Sequence, residues 1–134
     1  MEFEIKTNKR EEIIDITGKI KEYIQRNAKA GDKLCVVYVS HTTASIIINE
    51  NEDPLVCEDI LSFLNKLVPR GVWKHDKSKI CDRDNGDAHI KAALFGCSVI
   101  IPIANKELQL GQYQSIFLVE LDGPRERKII VDLI

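Results

Sequence analysis

The strongest constraint on the fold comes from two nearly continuous apolar, β-branched segments that lie only three residues apart. The first runs from Leu34 to Ser40, and the second, which contains three consecutive isoleucines, runs from Ala44 to Asn49. Runs of this kind are typical of central strands that are buried on both faces. We therefore predict two buried strands joined by a short polar turn.

Signals at helix ends predict three helices. Asp53-Pro54 combines an N-capping carboxylate with proline at the first helical position, and the helix that it begins stops at Pro69-Arg70-Gly71. A second helix is predicted from Thr17, whose hydroxyl can cap it, to Ala28. A third runs from Asp87 to Phe95 and ends at Gly96. The helix that follows Asp53 carries one apolar stripe, formed by Val56, Ile60, Phe63, Leu64 and Leu67.

The remaining segments predict short strands and one long polar loop, which covers Trp73 to Asn85. The predicted strands are Phe3–Thr7, Glu12–Ile16, Val99–Ile103, Gln112–Leu121 and Arg127–Leu133. Strands outnumber helices, and tight turns join most of them. We therefore predict an α+β fold over residues 1–134: one domain with a mainly antiparallel, sandwich-like sheet and two to three helices.

Length and composition exclude several functions. A chain of 134 residues is about half as long as a TIM barrel. Its net charge of −2 provides no broad basic field for a phosphate backbone, so we expect no nucleic-acid partner. No segment approaches the ~20 apolar residues that cross a bilayer, and the first residues show no signal-peptide pattern. We therefore expect a cytoplasmic protein with no membrane partner.

The three histidines each lie beside other groups that can do chemistry. His41 ends the first buried strand, His75 lies in the polar loop, and His89 lies in the first turn of a helix. No two of them have the spacing of metal ligands on one helix face, so spacing alone gives little support to a metal site. A capping or hydrogen-bonded surface histidine is the alternative for each.

The segment Asp84-Asn85-Gly86-Asp87-Ala88-His89 begins a helix. Residues of these types first of all cap a helix. The segment nevertheless holds more carboxylate, amide and imidazole groups than one helix end needs. The positive end of a helix dipole suits phosphate, and the carboxylates can hold a hard cation. Either use predicts an anionic substrate together with a metal.

Two turns add polar groups. Thr42 and Thr43 form a hydroxyl-rich turn that can donate hydrogen bonds to phosphate oxygens, although a plain turn is the alternative. In the turn Asp122-Gly123-Pro124-Arg125, the arginine can bind a phosphate bidentately, although an exposed turn arginine is the commoner outcome.

One predicted strand carries polar residues at alternate positions. Gln112, Gln114 and Glu120 share one strand face because side chains alternate with a period of two. Their neighbours on the strand are apolar, so one or more of the three can face a polar cavity instead of bulk water.

Four segments resemble the YjbQ-like family, whose members are described as secondary thiamine-phosphate synthases. They occur in the family's order and together make the resemblance cover nearly the whole chain. The segments are His41–Glu50, Asp84–Ala92, Leu110–Gln114 and Asp122–Arg125. Two positions depart from the family: Gly86 stands where many relatives have alanine, and Tyr113 where tryptophan is frequent. Neither departure removes a group capable of chemistry.

The resemblance implies an α+β sandwich-like fold that assembles as a homotrimer. It also implies a pocket that binds a divalent metal (zinc or magnesium) or an anion around histidines matched by His41, His75 and His89. The implied activity is a weak joining of hydroxymethylpyrimidine pyrophosphate to a thiazole phosphate, with release of pyrophosphate. The expected partner is therefore a phosphorylated small molecule.

Two functions from different classes use the same polar residues. In the enzyme, the catalytic candidates are Asp84, Asp87 and Glu120, and the three histidines bind metal or phosphate. The candidates for substrate and anion binding are Thr42, Thr43, Asn85, Gln114 and Arg125. In the alternative, a non-catalytic trimeric module binds a phosphorylated metabolite or a metal in the same pocket. We predict the enzyme, on the weight of the resemblance.

Overall fold

Eight strands form two antiparallel sheets in the computed structural model, which describes residues 1–134. The strands are β1 (Glu2–Lys6), β2 (Glu12–Asp15), β3 (Leu34–Val39), β4 (Ala44–Glu50), β5 (Ser98–Ala104), β6 (Glu107–Leu108), β7 (Gln114–Glu120) and β8 (Glu126–Leu133). The helices are α1 (Thr17–Asn27), α2 (Pro54–Leu67) and α3 (Gly86–Phe95), with one 3-10 turn at Lys74–Lys77. The strand order is β1-β8-β3-β5-β6 in the larger sheet and β2-β7-β4 in the smaller. The predicted α+β, mainly antiparallel fold is confirmed.

The main core consists of side chains from both sheets and from α1. Cys35, Val37 and Val39 alternate with more exposed residues along β3, and all three are fully buried. They belong to one cluster with Leu118 of β7 and Ile20 of α1. The larger sheet thus buries one face against the smaller sheet and the first helix.

Helices α2 and α3 cover the other face of the smaller sheet. Val119 of β7 and Leu121, which follows it, pack with Leu64 of α2 and with Ala88 and Ala92 of α3. The predicted burial on both faces is confirmed for the first three residues of β4, all of which are buried. None of the three helices has both the length and the apolar character needed to cross a bilayer.

The larger sheet differs from its prediction on its outer face. Leu34 and Tyr38 of β3 are 37% and 39% exposed, and Ile100 of the neighbouring β5 is 62% exposed. β3 and β4 belong to different sheets. The prediction that β3 is buried on both faces is wrong for the single chain, because these outward side chains remain in contact with solvent.

The start of α2 and the end of α3 follow their predicted signals, but the start of α1 does not. The Asp53 carboxylate accepts a hydrogen bond of 2.9 Å from the first turn of α2, and Gly96 ends α3 with a φ of 84°. At α1, however, the N-cap residue is Ile16, and the Asp15 side chain before it accepts a 2.8 Å hydrogen bond from the backbone N–H of Thr17. The Thr17 hydroxyl instead accepts from the backbone N–H of Ile116. The prediction that Thr17 caps α1 is therefore wrong.

Three connections meet at one end of the two sheets. β4 begins with Ala44 paired to Glu120, the last residue of β7, and β3 ends with Val39 paired to Ile129 of β8. The turn from β3 to β4 and the turn from β7 to β8 therefore lie side by side. The start of α3 reaches the same end, where Asn85 donates a hydrogen bond to Asp122.

Candidate functional site

His41 is oriented by the strand next to it. Its Nε2 accepts a hydrogen bond of 2.9 Å from the backbone N–H of Lys128 in β8. Because an accepting ring nitrogen carries no proton, the Nδ1 of neutral His41 carries it and is a donor. Burial lowers the pKa of His41, and the nearby charge of Arg127 lowers it further. His41 is therefore an uncharged imidazole at pH 7.

A buried amide links His75 to Asp122. The Nδ2 of Asn85 donates to an Asp122 carboxylate oxygen at 2.8 Å, so its Oδ1 faces the Nε2 of His75 at 3.0 Å. Because an amide oxygen only accepts, Nε2 carries the ring proton, and the Nδ1 of neutral His75 is an acceptor. The Asp122 carboxylate thus fixes the His75 tautomer through Asn85.

His89 packs against the ring of His75. The two ring centroids are 4.9 Å apart, and the rings meet edge to face with an angle of 86° between their planes. Burial lowers the pKa of His89, and the charges of His75 and Arg125 lower it further against the opposing charge of Asp122. His89 is therefore uncharged at pH 7.

Asp122 forms ion pairs with two arginines. Its Oδ2 accepts from the Nη2 of Arg125 at 2.6 Å and lies 3.3 Å from the Nε of Arg83. Burial raises the pKa of Asp122, but the hydrogen bonds from Asn85 and Arg83 and the charge of Arg125 outweigh burial and hold it below its ordinary value. Two guanidinium groups around one carboxylate leave one positive charge in excess. Sequence reasoning missed Asp122, because a turn of this composition explains an aspartate without any partner.

His41 and His89 line the same groove, which has a volume of about 550 Å³. Thr42 also lines it, together with Tyr38 and Cys97. Sequence reasoning missed these last two residues, because Tyr38 lies within an apolar strand and Cys97 lies between Gly96 and Ser98, where no local pattern marks it. The groove therefore combines imidazoles with a hydroxyl, a phenol and an exposed thiol.

Glu120 forms a buried ion pair with Arg127. Glu120 is 0% exposed and Arg127 is 1% exposed, and the Arg127 Nε donates to the carboxylate at 2.8 Å. The Arg127 Nη2 donates to the carbonyl and the hydroxyl of buried Thr43, at 3.0 Å and 2.9 Å. The Thr7 hydroxyl donates to Glu120 at 2.8 Å. We call these four residues the Glu120 cluster.

Asp87 is also fully buried and paired. It lies 2.9 Å from the Nζ of Lys91 and 3.2 Å from Arg10. Lys91, likewise 0% exposed, also donates to Asn65 of α2 at 2.7 Å and to Glu11 at 3.3 Å. Burial raises the pKa of Asp87, but hydrogen bonds from Lys91 and Arg10 outweigh it and lower the pKa. We call these five residues the Asp87 cluster.

Two further candidates lie outside both clusters. Asp84 has a half-exposed side chain 3.3 Å from the Nε of Arg70. Gln114 begins β7, at the opposite end from Glu120 and about 20 Å away at the usual strand rise. Its side-chain oxygen accepts a 2.8 Å hydrogen bond from the backbone of Gly111. The structure does not bring Gln114 to the groove.

Asp76 caps the start of α3. Its carboxylate accepts hydrogen bonds from the backbone N–H groups of Gly86, at 2.8 Å, and Trp73, at 3.0 Å. These hydrogen bonds, that of Gly86 above all, lower the pKa of Asp76. A protein carboxylate thus already satisfies one N–H of the helix end that the sequence suggests for phosphate. The signal that could have found Asp76 is its place beside His75 in the polar loop.

The histidines alone do not assemble a metal site in the single chain. No three side chains of histidine, cysteine, aspartate or glutamate converge closely enough to hold an ion. His75 and His89 are adjacent, which offers two ligands where zinc takes three or four from the protein. The divalent metal therefore stays a prediction.

This fold and site define a class: small α+β sandwich proteins with a groove lined by uncharged imidazoles and, at the same end of the sheets, a turn aspartate paired with two arginines. The family model for the UPF0047 protein YjbQ-like family matches residues 1–134. The chain belongs to this family, and the resemblance found in its sequence is confirmed.

Relatives and solved structures agree along the whole chain. A UPF0047 protein of Methanocaldococcus jannaschii is 47% identical over 132 residues, which cover 98% of this chain and 91% of the relative. The UPF0047 protein YugU of Bacillus subtilis is 36% identical over 130 residues, covering 97% and 95%. The crystal structure of a YjbQ/UPF0047 family protein from Clostridium acetobutylicum superimposes with a TM-score of 0.90 at 43% identity, covering 100% of this chain and 99% of the other.

Proposed function

We propose that the chain binds phosphorylated small molecules in the groove between His41 and His89. There it joins hydroxymethylpyrimidine pyrophosphate to a thiazole phosphate and releases pyrophosphate. The observation that carries the proposal is the excess positive charge of the two guanidinium groups around Asp122, where the charge of Arg125 acts on His41 and His89 of the groove. The family resemblance supplies the identity of the two substrates.

Arg125 is the residue best placed to bind the leaving pyrophosphate. Its side chain is 31% exposed, and Asp122 anchors it through Nη2, at 2.6 Å, and through a 2.9 Å bond from Nε to the Asp122 carbonyl. These two bonds fix one edge of the guanidinium group and leave Nη1 for a ligand. Arginine binds phosphate oxygens with charge-assisted, often bidentate hydrogen bonds.

The reaction needs charge stabilisation more than covalent help. The bond between the pyrimidine methylene carbon and the pyrophosphate oxygen breaks, and the oxygen keeps the electron pair. The lone pair of the thiazole nitrogen forms the new carbon–nitrogen bond, so the thiazole ring gains a positive charge and no proton is transferred. Donors already held in place stabilise the leaving anion. Arg125, the Nδ1–H of His41 and the ring of His89 supply such donors.

The test is to incubate the purified protein with both substrates and to follow pyrophosphate release. We expect turnover in the wild type and a loss of about 100-fold in Arg125→Ala and in His89→Ala, the size typical of removing one such donor. Arg26→Ala is the matched control, because Arg26 forms a surface pair with Glu22 on α1. Turnover that Arg125→Ala leaves intact would contradict the proposal.

One observation favours the alternative, a module that binds without turnover. Asp87 and Glu120, the buried catalytic candidates, are both consumed by ion pairs, and neither lines the groove. No carboxylate is therefore free to assist the reaction, and any catalysis would rest on anion binding alone, which is all that the module requires. Calorimetry measures whether the protein binds pyrophosphate or a phosphorylated substrate. Binding by a protein that shows no release of pyrophosphate in the activity assay would support the module over the enzyme.

The proposal includes the closed homotrimer that the resemblance implies. The outer face of the larger sheet presents Leu34, Tyr38 and Ile100, and Tyr38 also lines the groove. A second chain packed on this face would bury apolar strand surface and border the site. Sedimentation equilibrium at micromolar concentration should give about three times the chain mass of 15.2 kDa. A mass equal to one chain would contradict the trimer.

A cytoplasmic location is the last part of the proposal. Cys35, Cys57, Cys81 and Cys97 are all free thiols. Reducing compartments keep thiols in this state. Fractionation of the producing cells, with detection of the chain, would test the location.

A further inference from the structure

Thr7 and Glu120 hold both ends of the turn that carries Asp122 and Arg125. Glu120 accepts a hydrogen bond of 2.9 Å from the backbone N–H of Asp122. The Thr7 hydroxyl accepts one of 2.8 Å from the backbone N–H of Arg125, and it donates its own proton to Glu120. The backbone N–H of Thr7 donates to the carbonyl of Arg125 at 2.8 Å. Two neighbouring side chains thus fix the direction of the turn.

The turn lies directly on the segment between β1 and β2. Gly123 donates from its backbone N–H to the carbonyl of Arg10 at 2.9 Å. A Cβ added at Gly123 would overlap the carbonyl of Lys9 and would stand 2.8 Å from the Thr7 hydroxyl. Glycine is therefore required for this close approach, which places the turn within reach of Thr7.

We propose that Thr7 and Glu120 are positioning residues, which orient the Asp122–Arg125 turn so that the Arg125 guanidinium faces the bound anion. The inference rests on the proposed function for its ligand. It goes further because it gives Thr7 and Glu120 the role of orienting Arg125, although they are 5% and 0% exposed and do not line the groove. Stability alone does not require a buried ion pair here, because apolar residues of similar volume often stabilise a core as well. Glu120 and the Thr7 hydroxyl instead supply directed acceptors for the backbone N–H groups of the turn.

The experiment compares Thr7→Val with Thr17→Val. Thr17 is the matched control, because it is also buried and its hydroxyl also accepts a 2.8 Å hydrogen bond from a backbone N–H, that of Ile116. The two substitutions remove the same group, one beside the turn and one at the start of α1. Because the Thr7 hydroxyl also donates to the buried Glu120 carboxylate, we expect the larger decrease in Tm in Thr7→Val, and circular dichroism verifies that both variants are folded.

Two readouts separate positioning from stability. The first is NMR hydrogen exchange of the Arg125 Nε–H, which donates to the Asp122 carbonyl at 2.9 Å and needs no ligand. The second is calorimetric binding of inorganic pyrophosphate. We expect Thr7→Val to accelerate the exchange and to weaken pyrophosphate binding, each by about tenfold, the effect of losing roughly one buried hydrogen bond. Thr17→Val should change neither.

Each other outcome has a defined meaning. Equal exchange rates in the two variants would overturn the inference, because Thr7 would then not hold the turn. Faster exchange with unchanged pyrophosphate affinity would also overturn it, because the orientation would then not serve binding. If the wild type binds no pyrophosphate and exchange responds to Thr7→Val alone, the proposed function fails while the positioning of Arg125 stands.

Discussion

The Glu120 cluster and the Asp87 cluster each contain a fully buried carboxylate, but the two clusters stabilise different parts of the fold. Glu120 pairs with Arg127 and also accepts hydrogen bonds from the Thr7 hydroxyl and from the backbone N–H of Asp122 in the turn. In the other cluster, Lys91 pairs with Asp87 and also reaches Asn65 on α2. The first cluster orients one turn, whereas the second joins two helices. A buried carboxylate therefore indicates a functional role only when the groups bonded to it position part of a site.

The largest expected effect is the loss of one partner from either cluster. Lys91→Met removes the main cation from Asp87, and Glu120→Ala leaves Arg127 buried without its carboxylate. We expect each variant to lower the free energy of unfolding by about 3–5 kcal/mol, measured by urea titration, because Arg127 would lose its carboxylate partner and buried Asp87 would keep only its longer contact with Arg10.

Pyrophosphate binding should then separate the two variants. Folded Lys91→Met should retain wild-type affinity, while Glu120→Ala should lose it. Glu52→Ala, at an exposed position ahead of α2, is the control and should change neither quantity. An equal loss of affinity in the two cluster variants would show that both clusters orient the site.

Zinc titration tests the two histidines that lie beside different clusters. His41 lies near Arg127, and His89 is carried by α3, which the Asp87 cluster joins to α2. The metal site that the family resemblance implies would take one ligand from each of the three histidines, so we expect His41→Ala and His89→Ala each to weaken zinc binding by at least about tenfold while folding normally. Affinity should also fall as pH drops through about 6, since imidazole must be neutral to ligate.

Calorimetry on the wild type and both variants gives the stoichiometry and affinity, and circular dichroism verifies the fold. Unchanged stoichiometry and affinity in both variants would contradict the prediction that this site binds a metal.

The pH dependence of stability should show two steps. The pKa values of His41 and His89 lie below 6.5 in the folded chain, so their contribution is present above pH 6.5 and is lost as pH falls through the folded-state pKa values. The pKa values of Asp122 and Asp87 lie below 3.8, so their contribution is present above pH 3.8 and is lost at still lower pH. Urea titrations across pH 2–8 would measure both steps.

Substitutions assign each step to its groups. His41→Gln should reduce the upper step, and Asp122→Asn should reduce the lower one. A wild-type profile that is flat between pH 5 and 7 would contradict the histidine assignment.

The smallest expected effect belongs to Asp84, which is in neither cluster. Because its pair with Arg70 is half-exposed, Asp84→Ala should cost less than about 0.5 kcal/mol of unfolding free energy and leave pyrophosphate affinity unchanged. Urea titration and calorimetry measure the two values. Loss of pyrophosphate release in this variant would instead assign the exposed carboxylate a part in the reaction.

Local signals predicted local structure. The Asp53 cap and the glycine end of α3 are decided within a few residues, and both were predicted from the sequence. The separation of β3 and β4 into different sheets was not predicted, because it depends on partners far along the chain: Val39 pairs with Ile129, and Ala44 with Glu120. Thr17 failed as a cap for the same reason, since its hydroxyl bonds to a distant strand.

The site was partly predictable. Histidines, Asn85 and Arg125 were identified by residue type, and the structure brings them to one end of the sheets. Residue type did not distinguish a free carboxylate from a paired one. Lys91 stands four positions after Asp87, so helical spacing could have indicated that pair. The pairing of Glu120 with Arg127 depends on how the turn between β7 and β8 folds, which no local pattern determines.

The place of β8 in the larger sheet also bears on how the site forms during synthesis. β8 lies between β1 and β3, yet the ribosome makes both of those strands well before it. Until β8 inserts, the nascent chain presents two unpaired strand edges, and contacts between such distant segments form slowly. The turn with Asp122 and Arg125 is translated immediately before β8. The turn is therefore among the last parts of the proposed site to be held in place, and a chain stalled before β8 lacks the Lys128 backbone N–H that orients His41.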